Sequence, residues 1–307
     1  MLLQARHRTV TFPRRPLVMG IVNINDDSFC GDGTLDPAQA LEQAKRIAAE
    51  GADIIDAGAE SARTNRQAIQ VGEEVQRLNS FIGAYQAWAK EAAEVDPPFD
   101  AEQVWPPLLS LNTWRPQVVE AVLPLGGDLL NDIGALPDDR NARLCARHGA
   151  ALLIMHSVGW PKEKHTHVAY PAIMAELDCF FAEKLAMCQA AGLPVESIVL
   201  DPGIDFAKQQ EDNLTIYREL ERMGRFGRPV LLPVSRKTVI GEVLGLPDPL
   251  DRDAGTLACV ARGMSAGMQI FRVHQVKAAA EAVKVLWALE RGCSPRESRL
   301  QAASTPA

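Results

Sequence analysis

Residues 197–208 read S-I-V-L-D-P-G-I-D-F-A-K, a short apolar run that ends abruptly in an aspartate, a proline and a glycine. Ile198, Val199 and Leu200 are too few for a helix and are typical of a buried strand. Asp201 is the first residue at which apolar burial stops, and the following Pro-Gly pair indicates a loop. Taken alone, this aspartate could equally be a helix cap or a turn residue. The same order of apolar run and polar tip recurs along the chain, and this recurrence decides the fold.

Eight apolar runs alternate with segments of helical periodicity. The predicted strands span residues 16–24, 52–59, 108–113, 128–133, 150–157, 198–200, 229–234 and 268–273. The predicted helices span residues 36–50, 72–90, 116–125, 138–148, 171–191, 211–223, 251–266 and 276–290. Continuously apolar strands are buried on both faces, and eight of them alternating with helices over roughly 250 residues predict a closed (β/α)8 TIM barrel. An open, doubly wound α/β sheet is the rival architecture.

The domain organisation predicted from this pattern is a single barrel domain over residues 1–291. Residues 292–307 are rich in small and polar side chains, and we expect them to form a disordered tail. The stretch 91–107 is rich in proline and acidic residues and is longer than a usual helix-to-strand link. We interpret it as a surface excursion on the side of the barrel away from the chemistry.

Bulk composition excludes several classes of protein. The 307 residues are 47% hydrophobic and 23% charged, which is typical of a soluble globular protein. A net charge of −7 argues against non-specific binding to nucleic acid or to a membrane surface. The six cysteines form no C-x-x-C pair, so neither a zinc ribbon nor a dithiol redox motif is indicated. No apolar segment has the length of a signal peptide core or a membrane span, so we expect a cytoplasmic protein.

Polar residues end the predicted strands. In a (β/α)8 barrel the carboxyl ends of the strands form one face, so residues far apart in sequence converge there. The polar tips are Asn23, Glu60, Asn112, Asn131, His156, Asp201, Lys237, Arg272 and His274. Asp201 and Asn131 would suit a flat heterocycle with an amino-substituted amidine edge, because a carboxylate accepts two parallel N–H bonds. The cations Arg63, Arg272 and His274 indicate a site for an anion such as phosphate. The alternative for Arg272 and His274 is a strand end at which one side chain is salt-bridged and the other is capped.

Together these residues carry a resemblance to a known family. Seven stretches match it in order: M-G-I-V-N-I-N-D-D-S-F (19–29), G-A-D-I-I-D-A-G-A-E-S-A-R (51–63), L-L-N-D-I (129–133), I-M-H-S (154–157), I-V-L-D-P-G-I-D-F-A-K (198–208), V-S-R-K-T-V-I-G (234–241) and F-R-V-H (271–274). The chain resembles the dihydropteroate synthases of folate biosynthesis, the targets of sulfonamides. The resemblance implies a transferase that displaces pyrophosphate from 6-hydroxymethyl-7,8-dihydropterin diphosphate with the amine of 4-aminobenzoate.

The resemblance also implies roles for individual residues. Catalysis is expected to involve Lys237, Arg63, Arg272 and His274. The implied pterin-binding residues are Asn112, Asn131, Met155, Asp201 and Lys237. The implied pyrophosphate-binding residues are Asn23, Arg63, Arg272 and His274, with Asn23 as the metal ligand for a Mg²⁺ cofactor. The implied aminobenzoate-binding residues are Phe206, Ser235 and Thr64. The expected partners are these small-molecule substrates and a second copy of the chain in a homodimer.

The sequence departs from the family pattern in several loops. The departures are Asn112 in place of Asp, Asn25-Asp26 in place of Thr-Pro, Ala62 and Thr64 in place of Thr and Pro, and Asp205 and Ala207 in place of Gly. They leave open a pterin-binding homologue with a lost or altered second substrate, such as a pterin-dependent methyltransferase or a non-catalytic binder. The stretches S-R-K (235–237) and R-V-H (272–274) favour the synthase, since a pure binder does not need a pyrophosphate site.

Overall fold

The computed structural model describes residues 1–25, 33–61, 67–163 and 168–291. Two short antiparallel strands, β1 (Leu2–Ala5) and β2 (Arg8–Thr11), precede a sheet of eight parallel strands. The parallel strands are β3 (Leu17–Asn23), β4 (Ile54–Gly58), β5 (Leu108–Asn112), β6 (Leu129–Asp132), β7 (Ala151–Met155), β8 (Ile198–Asp201), β9 (Leu231–Pro233) and β10 (Ile270–Val273).

The sheet curves into a barrel. Its strands follow the order β8-β7-β6-β5-β4-β3-β10-β9, and the two ends of this series meet where Leu200 pairs in parallel with Val230. The backbone N–H of Leu200 also donates to the carbonyl of Pro229 at 3.0 Å. The predicted (β/α)8 barrel in a single domain is therefore confirmed, and the open-sheet alternative is wrong. The expected tail at 292–307 lies outside the described residues.

Helices follow the barrel strands and cover the outside of the sheet. The α-helices in the described ranges are α1 (Pro37–Ala49), α2 (Val71–Ala92), α3 (Pro116–Val122), α4 (Arg140–His148), α5 (Ile173–Ala190), α6 (Gln210–Arg218), α7 (Thr238–Leu244), α8 (Asp253–Ser265) and α9 (Val276–Arg291). Short 3-10 helices lie at Leu123–Leu125, Val195–Ser197, Leu220–Phe226 and Pro249–Arg252. None of the helices in this part of the chain is long and apolar enough to cross a membrane.

Strand periodicity divides the buried apolar residues into two cores. Successive strand residues point to opposite faces, so Leu17 and Met19 join one cluster while Val18 and Val22 join another. The inner cluster fills the barrel with alternate residues of every strand: Leu17, Met19, Ile54, Leu108, Leu129, Ala151, Leu153, Met155, Val199, Leu231 and Ile270. The outer cluster packs the other strand face against the helices. Burial on both faces explains why the strands are continuously apolar in sequence.

An amino-terminal hairpin closes one end of the barrel, which the sequence analysis did not predict. The buried side chains of β1 and β2, including Leu3 and Val10, belong to the inner cluster. The backbone N–H of Arg6, between the two strands, donates to the carbonyl of Gly149, just before β7 begins. The hairpin therefore covers the amino-terminal ends of the strands and leaves the opposite end for the site.

Two further regions can be compared with the sequence prediction. The excursion at 91–107 lies against the amino-terminal end of β4, where the N–H of Val104 donates to Asp53 Oδ1 at 2.9 Å. This location is on the side away from the carboxyl ends, as predicted. The sequence analysis missed helix α7, which begins at Thr238 directly after Lys237. Because β9 ends at Pro233, Lys237 lies at the start of a helix and not at a strand tip.

Candidate active site

The inward-facing positions of the barrel change from apolar to polar towards the carboxyl ends of the strands. Residues two apart in a strand share a face, so the inner cluster defines which side chains above it also face inward. The polar residues at these positions are Asn23, Asp56, Ser110, Asn112, Asn131, Asp201 and Arg272. Met155 ends β7 on the same face and pairs in register with Asp201. Catalytic sites of (β/α)8 enzymes lie at this end of the barrel.

Asp56 on β4 is the hydrogen-bonding centre of this polar layer. Its carboxylate is 1% exposed and accepts from Ser110 Oγ at 2.6 Å and from Arg272 Nε at 2.8 Å. Asn112 Nδ2 donates to it at 3.2 Å, and Asn131 Nδ2 donates to its two oxygens at 3.2 and 3.1 Å. Donors from β5, β6 and β10 thus replace the water lost on burial. One carboxylate holds two predicted pterin-binding amides and a predicted phosphate-binding arginine.

Asp56 is not among the residues predicted from the sequence, because it does not lie where an apolar run ends. Asp56 lies within the strand 54–58, between apolar neighbours, and so looked like part of the run. Strand parity is the signal that could have found it. Position 56 is two residues after Ile54 of the inner cluster, just as Ser110 is two residues after Leu108. A charged residue at an inward position of a buried strand needs partners on neighbouring strands.

Asn112 has one amide atom in use and one open. Its nitrogen donates to Asp56, whereas its Oδ1 is buried and has no hydrogen-bond partner in the described part of the chain. Buried polar atoms are nearly always paired, so an orphaned acceptor in this layer indicates a ligand that carries an N–H or O–H group. The structure also accounts for the amide where the family pattern has a carboxylate. A carboxylate at position 112 could not donate to Asp56 without carrying a proton.

Asp201 ends β8 as a nearly buried carboxylate. It is 4% exposed, and its Oδ1 accepts the backbone N–H of Gly203 at 2.7 Å. Burial raises the pKa of Asp201 to about 6, although the Gly203 N–H and the charges of Lys237, Lys208 and Arg272 act in the opposite direction. At neutral pH the group is therefore a poorly solvated anion surrounded by cations. Such an acceptor gains more than a solvated one from hydrogen bonds donated by a ligand.

Lys237 and Phe206 lie together on the loops that follow β9 and β8. Lys237 Nζ donates to the carbonyl of Ile204 at 2.7 Å and lies 5.0 Å from the centre of the Phe206 ring. Burial lowers the pKa of Lys237, while Asp205 and Asp201 raise it. The Phe206 ring is partly buried against the inner apolar cluster. A cation and an apolar ring face thus lie next to the Asp201 carboxylate.

Ser235 and His274 form a second pair just beyond the carboxyl ends of β9 and β10. The backbone N–H of His274 donates to Ser235 Oγ at 3.1 Å, and Ser235 Oγ lies 2.7 Å from His274 Nδ1. Because the serine oxygen accepts the backbone N–H, its own proton is free to donate to Nδ1. A neutral His274 ring in this arrangement carries its proton on Nε2. The ring is thereby oriented to donate from the nitrogen opposite Ser235.

Not all of the predicted site can be located. Arg63 and Thr64, and the departures Asp26 and Ala62, lie outside the described residues. Asn23 ends β3 as a half-buried residue that pairs in register with Gly58. In the described ranges there is no cluster of three His, Cys, Asp or Glu side chains suited to a metal ion. The chemistry of Asn23 is nevertheless compatible with Mg²⁺. This ion prefers oxygen ligands, and one amide oxygen could be completed by phosphate oxygens and water.

Two of the polar tips have partners outside the Asp56 layer. Glu60 is paired with Arg115 and with Lys162, whose Nζ lies 3.2 Å from Glu60 Oε1. Its Oε1 also accepts the N–H of Ile69 at 3.0 Å. The last of these contacts holds Ile69, which follows residues 62–66 in the chain, close to Glu60 at the end of β4. His156 is fully buried and lies against Lys208, so the expectation that all the tips converge does not hold for these two residues.

Comparison with known proteins agrees with this geometry. The sequence profile of the family described as pterin binding enzyme matches residues 19–274. A dihydropteroate synthase of Synechocystis is 36% identical over 280 residues, which cover 91% of each chain. The dihydropteroate synthase of Escherichia coli K12 is 34% identical over 272 residues, covering 88% of this chain and 90% of that one. The chain belongs to the dihydropteroate synthase family of pterin-binding enzymes, which are transferases.

Solved structures of this family share the fold. The Yersinia pestis dihydropteroate synthase in a sulfonamide complex superposes with a TM-score of 0.83 at 32% identity, covering 95% of this chain and 100% of that one. The Thermus thermophilus enzyme in complex with 4-aminobenzoate gives a TM-score of 0.77 at 33% identity, covering 94% of this chain and 100% of that one. The barrel described above is therefore the fold of this family.

Proposed function

We propose that this protein condenses 6-hydroxymethyl-7,8-dihydropterin diphosphate with 4-aminobenzoate and releases pyrophosphate. In this reaction the amine nitrogen forms a bond to the methylene carbon of the pterin. The bond from that carbon to the diphosphate oxygen breaks, and the nitrogen loses a proton. The site must hold the pterin, stabilise the departing charge and align the amine. The described residues offer groups suited to each of these tasks.

The pterin is proposed to bind between β5, β6 and β8. Its amino-substituted amidine edge presents parallel N–H donors, which a carboxylate accepts strongly. Asp201 supplies that carboxylate, and the open Oδ1 of Asn112 supplies a further acceptor. Asn131 is held in place by Asp56. Lys237 would donate to the pterin carbonyl, and Met155 would pack against the ring.

The diphosphate is proposed to bind on the neighbouring strand ends, β3 and β10. Arg272 is fixed by its Nε contact with Asp56, which leaves the two terminal nitrogens of its guanidinium to face an anion. His274 is oriented by Ser235 to donate from Nε2. Arg63 and Asn23 are proposed to complete this part of the site. A Mg²⁺ ion held through Asn23 would, when bound, neutralise charge on the departing pyrophosphate.

The aminobenzoate is proposed to enter over the loops that follow β8 and β9. The Phe206 ring offers a flat apolar surface for the benzene ring. Lys237, which lies above Phe206, offers a positive charge on the same side. Ser235 and Thr64 are proposed as its polar contacts. The second substrate would thus meet the pterin on the side of Asp201, away from the amides held by Asp56.

The single observation that carries this proposal is the polar layer around Asp56. In it the unpaired buried Oδ1 of Asn112, the Arg272 guanidinium held through Nε and the desolvated Asp201 carboxylate lie at the same end of the barrel. Calorimetry with the pterin diphosphate and with free 6-hydroxymethyl-7,8-dihydropterin tests it. We expect both ligands to bind, and the diphosphate to bind more tightly when Mg²⁺ is present. If neither pterin binds, the proposed site is refuted.

A homodimer is proposed as the assembled form. Exposed apolar side chains lie on α7, on the 3-10 helix Pro249–Arg252 and on α9, and they are Val243, Leu244, Leu250, Val285 and Leu289. The 3-10 helix contacts α7, and α8 contacts both this helix and α9, so the three elements lie along one side of the barrel. Exposed apolar groups collected in this way favour association. Light scattering on the purified protein should give twice the chain mass of 33.4 kDa. A monomer at micromolar concentration would contradict this proposal without affecting the proposed reaction.

A further inference from the structure

The loop after β8 has an unusual backbone for its sequence. Asp205 has φ 68° and Ala207 has φ 51°, so two residues with side chains adopt the left-handed region on either side of Phe206. This region is unfavourable for residues with a Cβ, typically by about 1 kcal/mol or more for each residue. Contacts elsewhere must hold the loop in this shape. The side chains of Asp205 and Lys208 provide them.

Asp205 ties the loop to two helices. Its carboxylate accepts the backbone N–H of Thr238, and it accepts the N–H of Val239 at 3.2 Å. These are the first two residues of α7, whose N–H groups have no partner within the helix. Asn213 on α6 is 2% exposed and forms a reciprocal pair, donating to Asp205 Oδ1 at 3.2 Å and accepting the Asp205 N–H at 2.9 Å.

Lys208 anchors the other end of the loop to β7. Its ammonium group lies 2.8 Å from His156 Nδ1, 3.3 Å from the His156 carbonyl and 3.0 Å from the Phe206 carbonyl. Burial lowers the pKa of His156 to about 2, so the neutral ring accepts at Nδ1. The three acceptors match the three protons of an ammonium group. Phe206 therefore lies between two residues, Asp205 and Lys208, whose side chains are held by other elements of the fold.

The Asp205 contact also fixes Lys237. Lys237 immediately precedes Thr238, and its side chain returns to the loop, where Nζ donates to the Ile204 carbonyl and lies over the Phe206 ring. The segment that carries Phe206 and the segment that carries Lys237 are thus joined twice, once through Asp205 and once through Lys237 itself. Of these two contacts, loss of the Asp205 carboxylate would leave the one that the flexible lysine side chain makes.

We propose that Asp205 is a positioning residue that pre-orders Phe206 and Lys237 for the second, aromatic substrate. This inference rests on the proposed function and deepens it. A loop that is ordered before the amine arrives spares the substrate the entropy cost of ordering it. The effect should fall on the aromatic amine more than on the pterin, because the pterin also has the amides held by Asp56.

Three variants test the proposal. Asp205→Gly removes the carboxylate and also relieves the left-handed backbone. Asp205→Asn keeps the size of the side chain and one acceptor oxygen. Ala207→Gly is the matched control, because it relieves the same kind of backbone strain two residues further along the loop and removes only a methyl group, which cannot accept the N–H groups of α7. The side chains of Asp205 and Ala207 are both partly accessible, so the barrel core is unchanged.

The first readout is steady-state kinetics with each substrate varied in turn. Asp205→Gly should raise KM for 4-aminobenzoate about five- to tenfold, which is the effect of losing a helix-capping contact. KM for the pterin diphosphate should change less than about twofold, Asp205→Asn should be intermediate, and Ala207→Gly should match the parent. An unchanged KM for 4-aminobenzoate in Asp205→Gly, or an equal rise in both KM values, would overturn the proposal.

The second readout needs no activity and separates this proposal from the proposed reaction. Amide hydrogen exchange without substrates should be faster at Thr238 and Val239 and across 203–208 in Asp205→Gly, but not in Ala207→Gly. If the parent lacks synthase activity while the exchange behaves as expected, then the reaction is wrong and the anchoring is right. Exchange that is unchanged in Asp205→Gly would show that Asp205 does not order the loop.

Discussion

Replacing Asp201 by asparagine should stabilise the free protein while it abolishes tight pterin binding. The amide retains an oxygen that can accept the Gly203 N–H, so the change removes the charge and little else. Burial raises the pKa of Asp201 from its ordinary value of 3.8 to about 6. A difference of about two units corresponds to about 3 kcal/mol of unfavourable free energy for the buried anion. The native site carries this cost so that the carboxylate is ready to accept donors.

The sign of the pH dependence follows from proton linkage. Between about pH 4 and pH 6 the folded protein binds a proton at Asp201 more tightly than the unfolded chain does. The parent therefore loses stability as the pH rises through this interval and gains none back above it. Asp201→Asn has no such titration. Its advantage should approach about 3 kcal/mol above pH 6 and disappear towards pH 4.

Urea unfolding of parent and variant at pH 7.5 and pH 4.5, without ligand, measures the difference. Asp251→Asn is a control of equal charge change, because Asp251 is exposed and lies on the 3-10 helix Pro249–Arg252. Calorimetry at pH 7.5 should give a pterin affinity about 30-fold or more below the parent for Asp201→Asn. An Asp201→Asn variant that is less stable than the parent at pH 7.5 would refute the reasoning, as would an unchanged pterin affinity.

Three further variants test the polar layer. Asp56→Asn should lower the free energy of unfolding in urea by about 3–5 kcal/mol, because the amide removes the charge that pairs with Arg272 and replaces one of the two acceptor oxygens by a donor that faces other donors, whereas Ser110→Ala should lower it by about 1–2 kcal/mol. Losses of similar size in the two variants would show that Asp56 is not the centre of the layer. Arg272→Met should weaken binding of the pterin diphosphate at least about tenfold more than binding of the free hydroxymethyl pterin in calorimetry. An equal loss for both ligands would mean that Arg272 supports the fold and not the diphosphate.

The barrel was predictable from the sequence because its strands are apolar on both faces and its helices begin with recognisable signals. Asp36 caps α1 by accepting the N–H of Ala38 at 2.9 Å, and Pro37 occupies the first turn, as the sequence indicates. The hairpin of β1 and β2 was not predictable by the same means. Its strands have four residues each, and their apolar side chains are buried only because the hairpin covers the open end of the barrel.

The site was predictable where polar residues end the strands and not where they lie within them. Asn131, Asp201 and Arg272 were found in this way, and the structure places all three in or beside the polar layer. Asp56 escaped because its role depends on donors from three other strands, which are brought together only when the barrel closes. Glu60 also lies at the end of an apolar run, but it forms ion pairs with the nearby Arg115 and Lys162.

Side-chain contacts between loops could not be predicted from the sequence for a similar reason. Asp205 differs from the glycine of the family pattern, and in isolation such a change indicates a damaged loop. In the folded protein its carboxylate reaches the first turn of α7, 33 residues further along the chain. The substitution therefore adds an anchor at the same position where it adds backbone strain. Only the three-dimensional arrangement reveals that the two effects occur together.

Pyrophosphate release from 6-hydroxymethyl-7,8-dihydropterin diphosphate, followed with and without 4-aminobenzoate, tests the central claim most directly. The site described above is proposed to bind the pterin and the departing diphosphate and to align an aromatic amine against them. We therefore predict that release depends on 4-aminobenzoate and that one dihydropteroate forms for each pyrophosphate. Release at the same rate without the amine, or tight pterin binding with no release in its presence, would contradict the assignment as a synthase.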